Sequence, residues 1–168
     1  MKQSQHDSQT VVGIDPGLAN LGLGAVREEG RQARYLGSTL VRTSSKKDQA
    51  ERLHYLYESV TEFLRRHKPN AVAIEGQYFH HQREMSFKLG QAYGICLLAA
   101  RSLNIEVFEY GPMQVKQALV GAGRASKAQV SFMVRALLTE APVIKDLHVT
   151  DALALALTYL SSRRISHL

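Results

Sequence analysis

The sequence predicts a single α/β domain, in which a five-stranded mixed sheet carries helices on both faces. Short apolar runs near the N-terminus end in turn residues, as buried strands do. Two later segments repeat apolar residues at helical spacing, and two further compact apolar runs alternate with them. This order predicts three antiparallel strands followed by two parallel ones.

The first three strands are predicted at residues 11–15, 21–26 and 34–41. The first is a β-branched run stopped by Pro16-Gly17, and a polar turn at residues 29–32 separates the other two. Strands joined by such short connections pair antiparallel.

A helix is predicted over residues 47–67, where leucines and aromatic residues recur at helical spacing, and Pro69 ends it. Residues 71–75 then form a compact apolar strand that ends in Glu75. Residues 86–103 are helical again, with small residues among the apolar ones. That pattern fits packing on the protein's own sheet, and it also fits a subunit interface.

The last part of the chain is predicted to hold one strand and three helices. Residues 106–110 form the fifth strand, and Pro112 begins a short helix, as a proline at the first helical position would. Ser126-x-x-Gln129 is a capping-box pattern, which opens a helix that reaches about residue 138. Residues 146–161 close the chain as an Ala- and Leu-rich helix.

The composition limits the classes of protein to consider. The 168 residues suit one domain at residues 10–162, between a disordered N-terminal tail at 1–9 and a basic C-terminal tail at 163–168. No apolar stretch approaches the roughly 18 residues of a membrane span, the tail lacks the apolar core of a secretory signal, and the lone Cys96 fits a reducing compartment. We therefore expect a cytoplasmic protein that does not associate with a membrane.

The net charge of +6 favours a polyanionic partner, first of all nucleic acid. Solvated lysines and arginines on the surface of a basic protein explain the charge equally well.

Three carboxylates and one histidine occur where they could converge. Asp15 ends the first strand and Glu75 ends the fourth, so parallel neighbouring strands would bring them to one edge of the sheet. His148 precedes Asp151 by three residues, so the two share one face of a helix. Such a ligand set suits Mg²⁺ or Mn²⁺. Two such ions roughly 4 Å apart hydrolyse phosphodiesters, which is nuclease chemistry.

Each of these residues also has a structural interpretation. Asp15 before Pro-Gly fits an Asx-type turn, Glu75 fits a solvated strand end, and His148 fits a residue that decorates a helix start. Asp151 is harder to explain this way, because a charge within an Ala and Leu helix needs compensation where it faces the sheet. Asp146 is the predicted N-cap of that helix.

The segment after Glu75, residues 76–83, combines aromatic and basic side chains. Tyr78 and Phe79 could stack on unpaired bases, worth roughly 1 to 3 kcal/mol each, while Arg83 meets phosphates. The alternative is that the two aromatic rings pin the loop to the core. The adjacent histidines at 80 and 81 are more typical of exposed polar residues than of metal ligands.

Five motifs, in order along residues 11–160, resemble the RuvC family of Holliday junction resolvases, which have a ribonuclease H-like fold. The motifs are Gly13-Ile-Asp-Pro-Gly17, Ala73-Ile-Glu75, Lys88-Leu-Gly-Gln-Ala92, Gln114-Val-Lys-Gln117 and His148-Val-Thr-Asp-Ala-Leu153.

The resemblance implies a metal-dependent endonuclease that resolves four-way DNA junctions by paired symmetric nicks in recombination and repair. It implies that catalysis and metal binding, by two Mg²⁺ or Mn²⁺ ions per site, fall to Asp15, Glu75, His148 and Asp151. Some family members carry Asp in place of His148, and an imidazole there is expected to shift metal preference toward Mn²⁺.

The resemblance also implies partners. Lys116 and Lys127 match family lysines near the scissile phosphate, and Tyr78 matches an aromatic wedge at the junction centre. The full set of predicted DNA contacts is Tyr78, Phe79, Arg83, Lys116, Arg124 and Lys127. A homodimer is expected, with the helix at residues 86–103 as its interface, and a branch-migration helicase complex of the RuvA/RuvB type is a further candidate partner.

Two other functions compete with this one. Actin-like ATPases also begin with a strand that ends in Gly-Ile-Asp, but this chain is too short for their two-lobed cleft, and Glu75 and Asp151 would then have no role. A junction-binding protein without cutting activity would have no need of the intact carboxylates Asp15, Glu75 and Asp151.

Overall fold

The structure is a computed structural model that describes residues 8–30, 32–76 and 83–165. Strands and helices alternate as the sequence predicts, with modest shifts at their ends. Their bounds are β1 Thr10–Asp15, β2 Asn20–Glu29, β3 Gln32–Arg42, α1 Gln49–His67, β4 Ala71–Glu75, α2 Arg83–Ser102, β5 Glu106–Tyr110, α3 Pro112–Val120, α4 Lys127–Leu137, β6 Leu138–Thr139 and α5 Leu147–Ile165.

The strands form one mixed sheet in the order β5-β4-β1-β2-β3-β6. β1, β2 and β3 pair antiparallel, whereas β4 lies parallel to β1 and β5 lies parallel to β4. The predicted fold class, with three antiparallel and two parallel strands, is therefore confirmed.

The prediction of five strands misses a sixth. β6 has two residues and pairs parallel with the start of β3, Ala33 opposite Leu138 and Arg34 opposite Thr139. It arises because Leu138, which caps α4, already has an extended backbone with φ −90° and ψ 128°. Two residues are too few for a period-two pattern to be visible in the sequence.

Helices cover both faces of the sheet, and alternate residues of β1 point to opposite sides. Val12 and Ile14 belong to a core shared with α1 and α2, in which Leu56 and Cys96 are buried. Val11 belongs to the second core, which α3, α4 and α5 close. All six residues of β1 are buried, so the strand that carries Asp15 is held from both sides.

The helix ends follow local capping rules. Asp48 caps α1 by accepting the amides of Ala50 and Glu51, and Ser126 forms the predicted capping box with Gln129 at α4. Asp146 caps α5 as predicted, since its Oδ1 accepts the amides of His148 and Val149 at 2.9 and 3.2 Å.

α5 crosses the sheet in direct backbone contact. A Cβ atom at Gly13 would lie 1.7 Å from the carbonyl oxygen of Ala152, so this position of β1 admits only glycine. The helix also runs on to Ile165, beyond the predicted end at residue 161, and so includes the first residues of the expected basic tail. None of the described helices is both long enough and apolar enough to cross a bilayer.

Candidate active site

Two of the predicted carboxylates come from adjacent parallel strands. β1 and β4 pair with Ile14 opposite Ile74, so the next residue of each strand, Asp15 or Glu75, reaches the same edge of the sheet. In open α/β sheets this carboxyl edge is where sites usually form. The strand register therefore explains why the two carboxylates meet.

The N-terminal end of α5 brings the third carboxylate and the histidine to that edge. The Nδ1 atom of His148 lies 2.7 Å from Oδ2 of Asp15, although 133 residues separate them in the chain. The Asp15 side chain is 12% exposed and that of His148 is 45% exposed. The pair thus joins a buried carboxylate to a half-exposed imidazole.

The electrostatics show that the acidic groups share one environment. The pKa of Asp15 is raised to about 6, chiefly by burial and also by the nearby charge of Asp151, while the His148 hydrogen bond lowers it. Burial likewise raises the pKa of Glu75 to about 7, with added repulsion from Asp15 and Asp151. Burial also raises the pKa of Asp151, against the charges of Lys127 and His148.

Beside these carboxylates lies a cleft of about 200 Å³ with a charged rim and an apolar floor. Its rim holds two carboxylates and two lysines from different helices: Glu75, Asp151, Lys116 and Lys127. Its floor is formed by Pro112, Val115, Val130, Ala154 and Leu155. Clustered perturbed carboxylates facing lysines in a cleft are typical of a functional site.

The donor chemistry of this site fits a hard divalent cation. Carboxylate oxygens are the ligands that Mg²⁺ and Mn²⁺ prefer, and a cation would offset the burial and the mutual repulsion that raise the pKa values of Asp15 and Glu75. In the described part of the chain, however, no three His, Cys, Asp or Glu side chains are already arranged to hold a metal ion. Metal binding by these residues stays a prediction.

The predicted DNA contacts have different outcomes. Lys116 and Lys127 line the cleft, and Arg124 is exposed on the loop between α3 and α4. Tyr78 and Phe79 lie outside the described residues, as does the side chain of Arg83, whose backbone begins α2.

The basic tail differs from the expectation in one respect. Arg164 belongs to α5, where its Nε donates to Glu28 Oε1 at 2.9 Å and its Nη2 donates to the carbonyl of Gly30 at 3.0 Å. Its charge is thus directed to the β2–β3 hairpin.

The close approach of α5 to the sheet was not predicted from the sequence. A Cβ at Gly22 would lie 2.1 Å from the carbonyl oxygen of His148, and Gly22 is the ladder partner of Asp15. The signal was present, because glycine inside a strand often marks close backbone approach.

The family model for crossover junction endodeoxyribonuclease RuvC matches residues 11–159. The chain is similar to the RuvC protein of Thermus thermophilus, with 45% identity over 152 residues, which cover 89% of this chain and 92% of that protein. It is also 43% identical to the RuvC protein of Rubrobacter xylanophilus over 158 residues, which cover 94% of this chain and 88% of that one.

Solved structures agree with these similarities. The structure of T. thermophilus RuvC in complex with a Holliday junction substrate matches with a TM-score of 0.89 and 43% identity, covering 94% of this chain and 96% of that chain. The yeast mitochondrial Holliday junction resolvase matches with a TM-score of 0.68 over 94% of this chain and 82% of its own, but at 12% identity it shows the fold alone. The strand-end carboxylates, the ribonuclease H-like fold and these matches agree, and the chain belongs to the RuvC family of crossover junction endodeoxyribonucleases.

Proposed function

We propose that this chain resolves four-way DNA junctions by paired symmetric nicks, in DNA recombination and repair. The observation that carries the proposal is the grouping of Asp15, Glu75 and Asp151, whose charges act on one another and on which Lys127 also acts, beside a cleft lined by Glu75, Asp151 and Lys127. The T. thermophilus relative crystallised with a Holliday junction substrate supports the choice of DNA structure.

Divalent-metal dependence is general in this family, and the residues that would hold the metal here are Asp15, Glu75, His148 and Asp151. We propose Mg²⁺ or Mn²⁺, two ions per site. Such ions, when bound, stabilise negative charge on the scissile phosphate and make water a better nucleophile at neutral pH.

The chain's own residues contribute binding and orientation. Lys116 and Lys127 stand on the cleft rim, where each ammonium can neutralise a phosphate oxygen as a point charge. Asp15 holds the His148 ring through its 2.7 Å contact, which fixes the direction in which the ring's other nitrogen points. Tyr78, Phe79, Arg83 and Arg124 complete the predicted DNA surface.

A homodimer is the second part of the proposal, because a two-fold substrate requires two equivalent sites. The exposed face of α2 supports it. Phe87 and Leu98 are 66% and 57% exposed, and the exposed Gly90 and Gly94 lie between them on the same face. Glycines allow two helices to approach closely, and the large apolar side chains beside them supply surface that a partner helix would bury. Association with a RuvA/RuvB-type helicase and a cytoplasmic location remain predictions from the sequence.

The activity is tested with a synthetic four-way junction and a linear duplex of the same sequence. Each is incubated with Mg²⁺, with Mn²⁺ or with a chelator, for the wild type and for Asp15→Asn. We expect paired nicks in the junction alone, lost with the chelator and in the variant, while the variant still binds the junction. Binding without cleavage by the wild type would contradict the proposal.

The dimer is tested by sedimentation of Leu98→Glu. A charge on the α2 face should yield monomers that no longer make paired nicks. Tyr55→Glu is the matched control, since Tyr55 is similarly exposed, at 52%, but lies on α1. A wild type that sediments as a monomer at working concentration would refute the dimer.

A further inference from the structure

The start of α5 needs a cap, because a helix end leaves its first amides without intrahelical partners. In this helix those amides belong to the residues that follow Asp146. Its Oδ1 accepts the amide of His148 at 2.9 Å and that of Val149 at 3.2 Å. The backbone of a predicted catalytic residue is thus itself held by the cap.

Further contacts fix the same turn. The hydroxyl of Thr150, a buried residue, donates to the carbonyl of Asp146 at 2.8 Å. On the sheet side, the carbonyl of His148 packs against Gly22. A Cβ atom at Gly22 would lie only 2.1 Å from that carbonyl oxygen. The first turn of α5 is therefore set both by its cap and by β2.

This geometry leads directly to the acidic cluster. Gly22 is the ladder partner of Asp15, and the His148 ring contacts Asp15 at 2.7 Å. Asp151 follows within the same helix, less than one turn after His148. Any fraying of the first turn would move both side chains away from the strand ends.

We propose that Asp146 is a positioning residue for junction cleavage: by capping α5 it holds His148 on Asp15 and Asp151 at the cleft. This inference rests on the proposed function. The cap carries the role, because Oδ1 accepts both amides, whereas the negative charge of Asp146 opposes ionisation of Asp151 and its other oxygen, Oδ2, lies 4.0 Å from the exposed Arg42. Exposed pairs at such a distance contribute little.

The test compares variants at Asp146 with a matched variant at another cap. Asp146→Ala removes the cap, whereas Asp146→Asn keeps it and removes only the charge. Asp48→Ala removes the equivalent cap of α1, where Asp48 accepts the amides of Ala50 and Glu51. Single-turnover cleavage, junction binding in chelator, thermal midpoint and backbone amide hydrogen exchange are measured for each variant.

We expect Asp146→Ala and Asp48→Ala to lower the thermal midpoint by similar amounts. Only Asp146→Ala should slow cleavage, by about 10-fold or more, because misplaced catalytic groups react slowly even when substrate binds normally. Asp146→Asn should cleave within about threefold of wild type. With Ser, Thr or Ala at position 146, the cleavage rate should decrease in that order, because their strength as N-caps decreases in the same order.

Several results would overturn the proposal. These are an Asp146→Ala rate within twofold of wild type, an Asp146→Asn rate as low as that of Asp146→Ala, or an equal loss in Asp48→Ala. Amide exchange separates this inference from the proposed function. Even where the wild type fails to cleave, exchange at His148 and Val149 must rise in Asp146→Ala and return to normal in Asp146→Asn, and unchanged exchange refutes the positioning role.

Discussion

The helices on the two faces of the sheet form two layers that differ in what they carry. One layer contains α1 and α2, and the other contains α3, α4 and α5. α1 is amphipathic, with Leu56, Val60 and Leu64 buried and charged residues on its outer face. α5 is buried along nearly all its length from Val149 to Leu160, between the sheet on one side and α3 and α4 on the other. Each layer closes a core, and the layer that contains α5 also carries His148, Asp151 and most of the cleft lining.

The difference shows how a buried helix can hold a charge. Asp151 lies in the first turns of α5, near the N-terminus of the helix, where the helix dipole favours an anion. Apolar residues then continue the helix beneath the cleft, with Leu153 fully buried. Packing between the sheet on one side and α3 and α4 on the other gives this carboxylate a fixed geometry.

The strongest way to test this division is to damage each layer separately. Asp151→Asn should reduce junction cleavage by about 1,000-fold or more, because it removes a predicted metal ligand without changing side-chain volume. Leu56→Ala, in the other layer, should cost about 2 to 5 kcal/mol of unfolding free energy. Cleavage rates at a temperature where both variants stay folded decide the matter. A catalytic loss in Leu56→Ala as large as that in Asp151→Asn would contradict the division.

A smaller effect is expected for the lysine on the cleft rim. Lys127→Met removes a cation that faces Glu75, Asp15 and Asp151, and it should slow cleavage by about 10- to 100-fold. Lys46→Met, at an exposed lysine before α1, removes the same charge outside the cleft. It should change the rate by less than about twofold. Equal losses in both variants would mean that net charge, rather than the cleft, sets the rate.

The sequence predicted most of what positions the site. Asp15 and Glu75 were recognisable because each ends an apolar strand, and the N-cap Asp146 because Ala- and Leu-rich helical sequence follows it. Patterns of this kind depend on residues close together along the chain, so they can be recognised without knowledge of the tertiary structure. The family motifs then linked the strand ends to α5.

What the sequence could not predict depends on contacts between distant segments. Nothing local indicates that His148 would bond Asp15 across 133 residues, or that Arg164 would turn to Glu28. β6 was missed because its two residues become a strand only through pairing with β3. Such features follow from tertiary packing, and the spacing of residues along the sequence does not reveal it.

The raised pKa of Glu75 predicts a pH-dependent stability that arises at the strand ends of the candidate site. Glu75 has a pKa of about 7 in the folded chain against an ordinary 4.5, so the folded state binds its proton more tightly than the unfolded state does. The stability from this group is therefore full below about pH 4.5 and is lost as pH rises toward 7. Over this pH range the metal-free protein should lose on the order of 1 to 3 kcal/mol of unfolding free energy because of Glu75.

Thermal unfolding in chelator measures this effect. Glu75→Gln should make the midpoint fall less between pH 5 and pH 8 than it does in the wild type. Glu62→Gln is the control, since Glu62 lies on the outer face of α1 with a side chain 73% exposed, and its pH dependence should follow the wild type. Identical curves for Glu75→Gln and wild type would show that Glu75 is not protonated preferentially in the folded state.

The smallest expected effect concerns the choice of metal. His148 contributes an imidazole where some family members carry a carboxylate, and nitrogen ligands suit Mn²⁺ better than Mg²⁺. His148→Asp should therefore shift the ratio of nicking rates in Mn²⁺ and Mg²⁺ toward Mg²⁺, by a few-fold. The new carboxylate would also stand beside Asp15, where His148 now lies 2.7 Å from Oδ2, so the added negative charge should lower the metal concentration needed for half-maximal activity. An unchanged ratio in the variant would refute a role for His148 in metal preference.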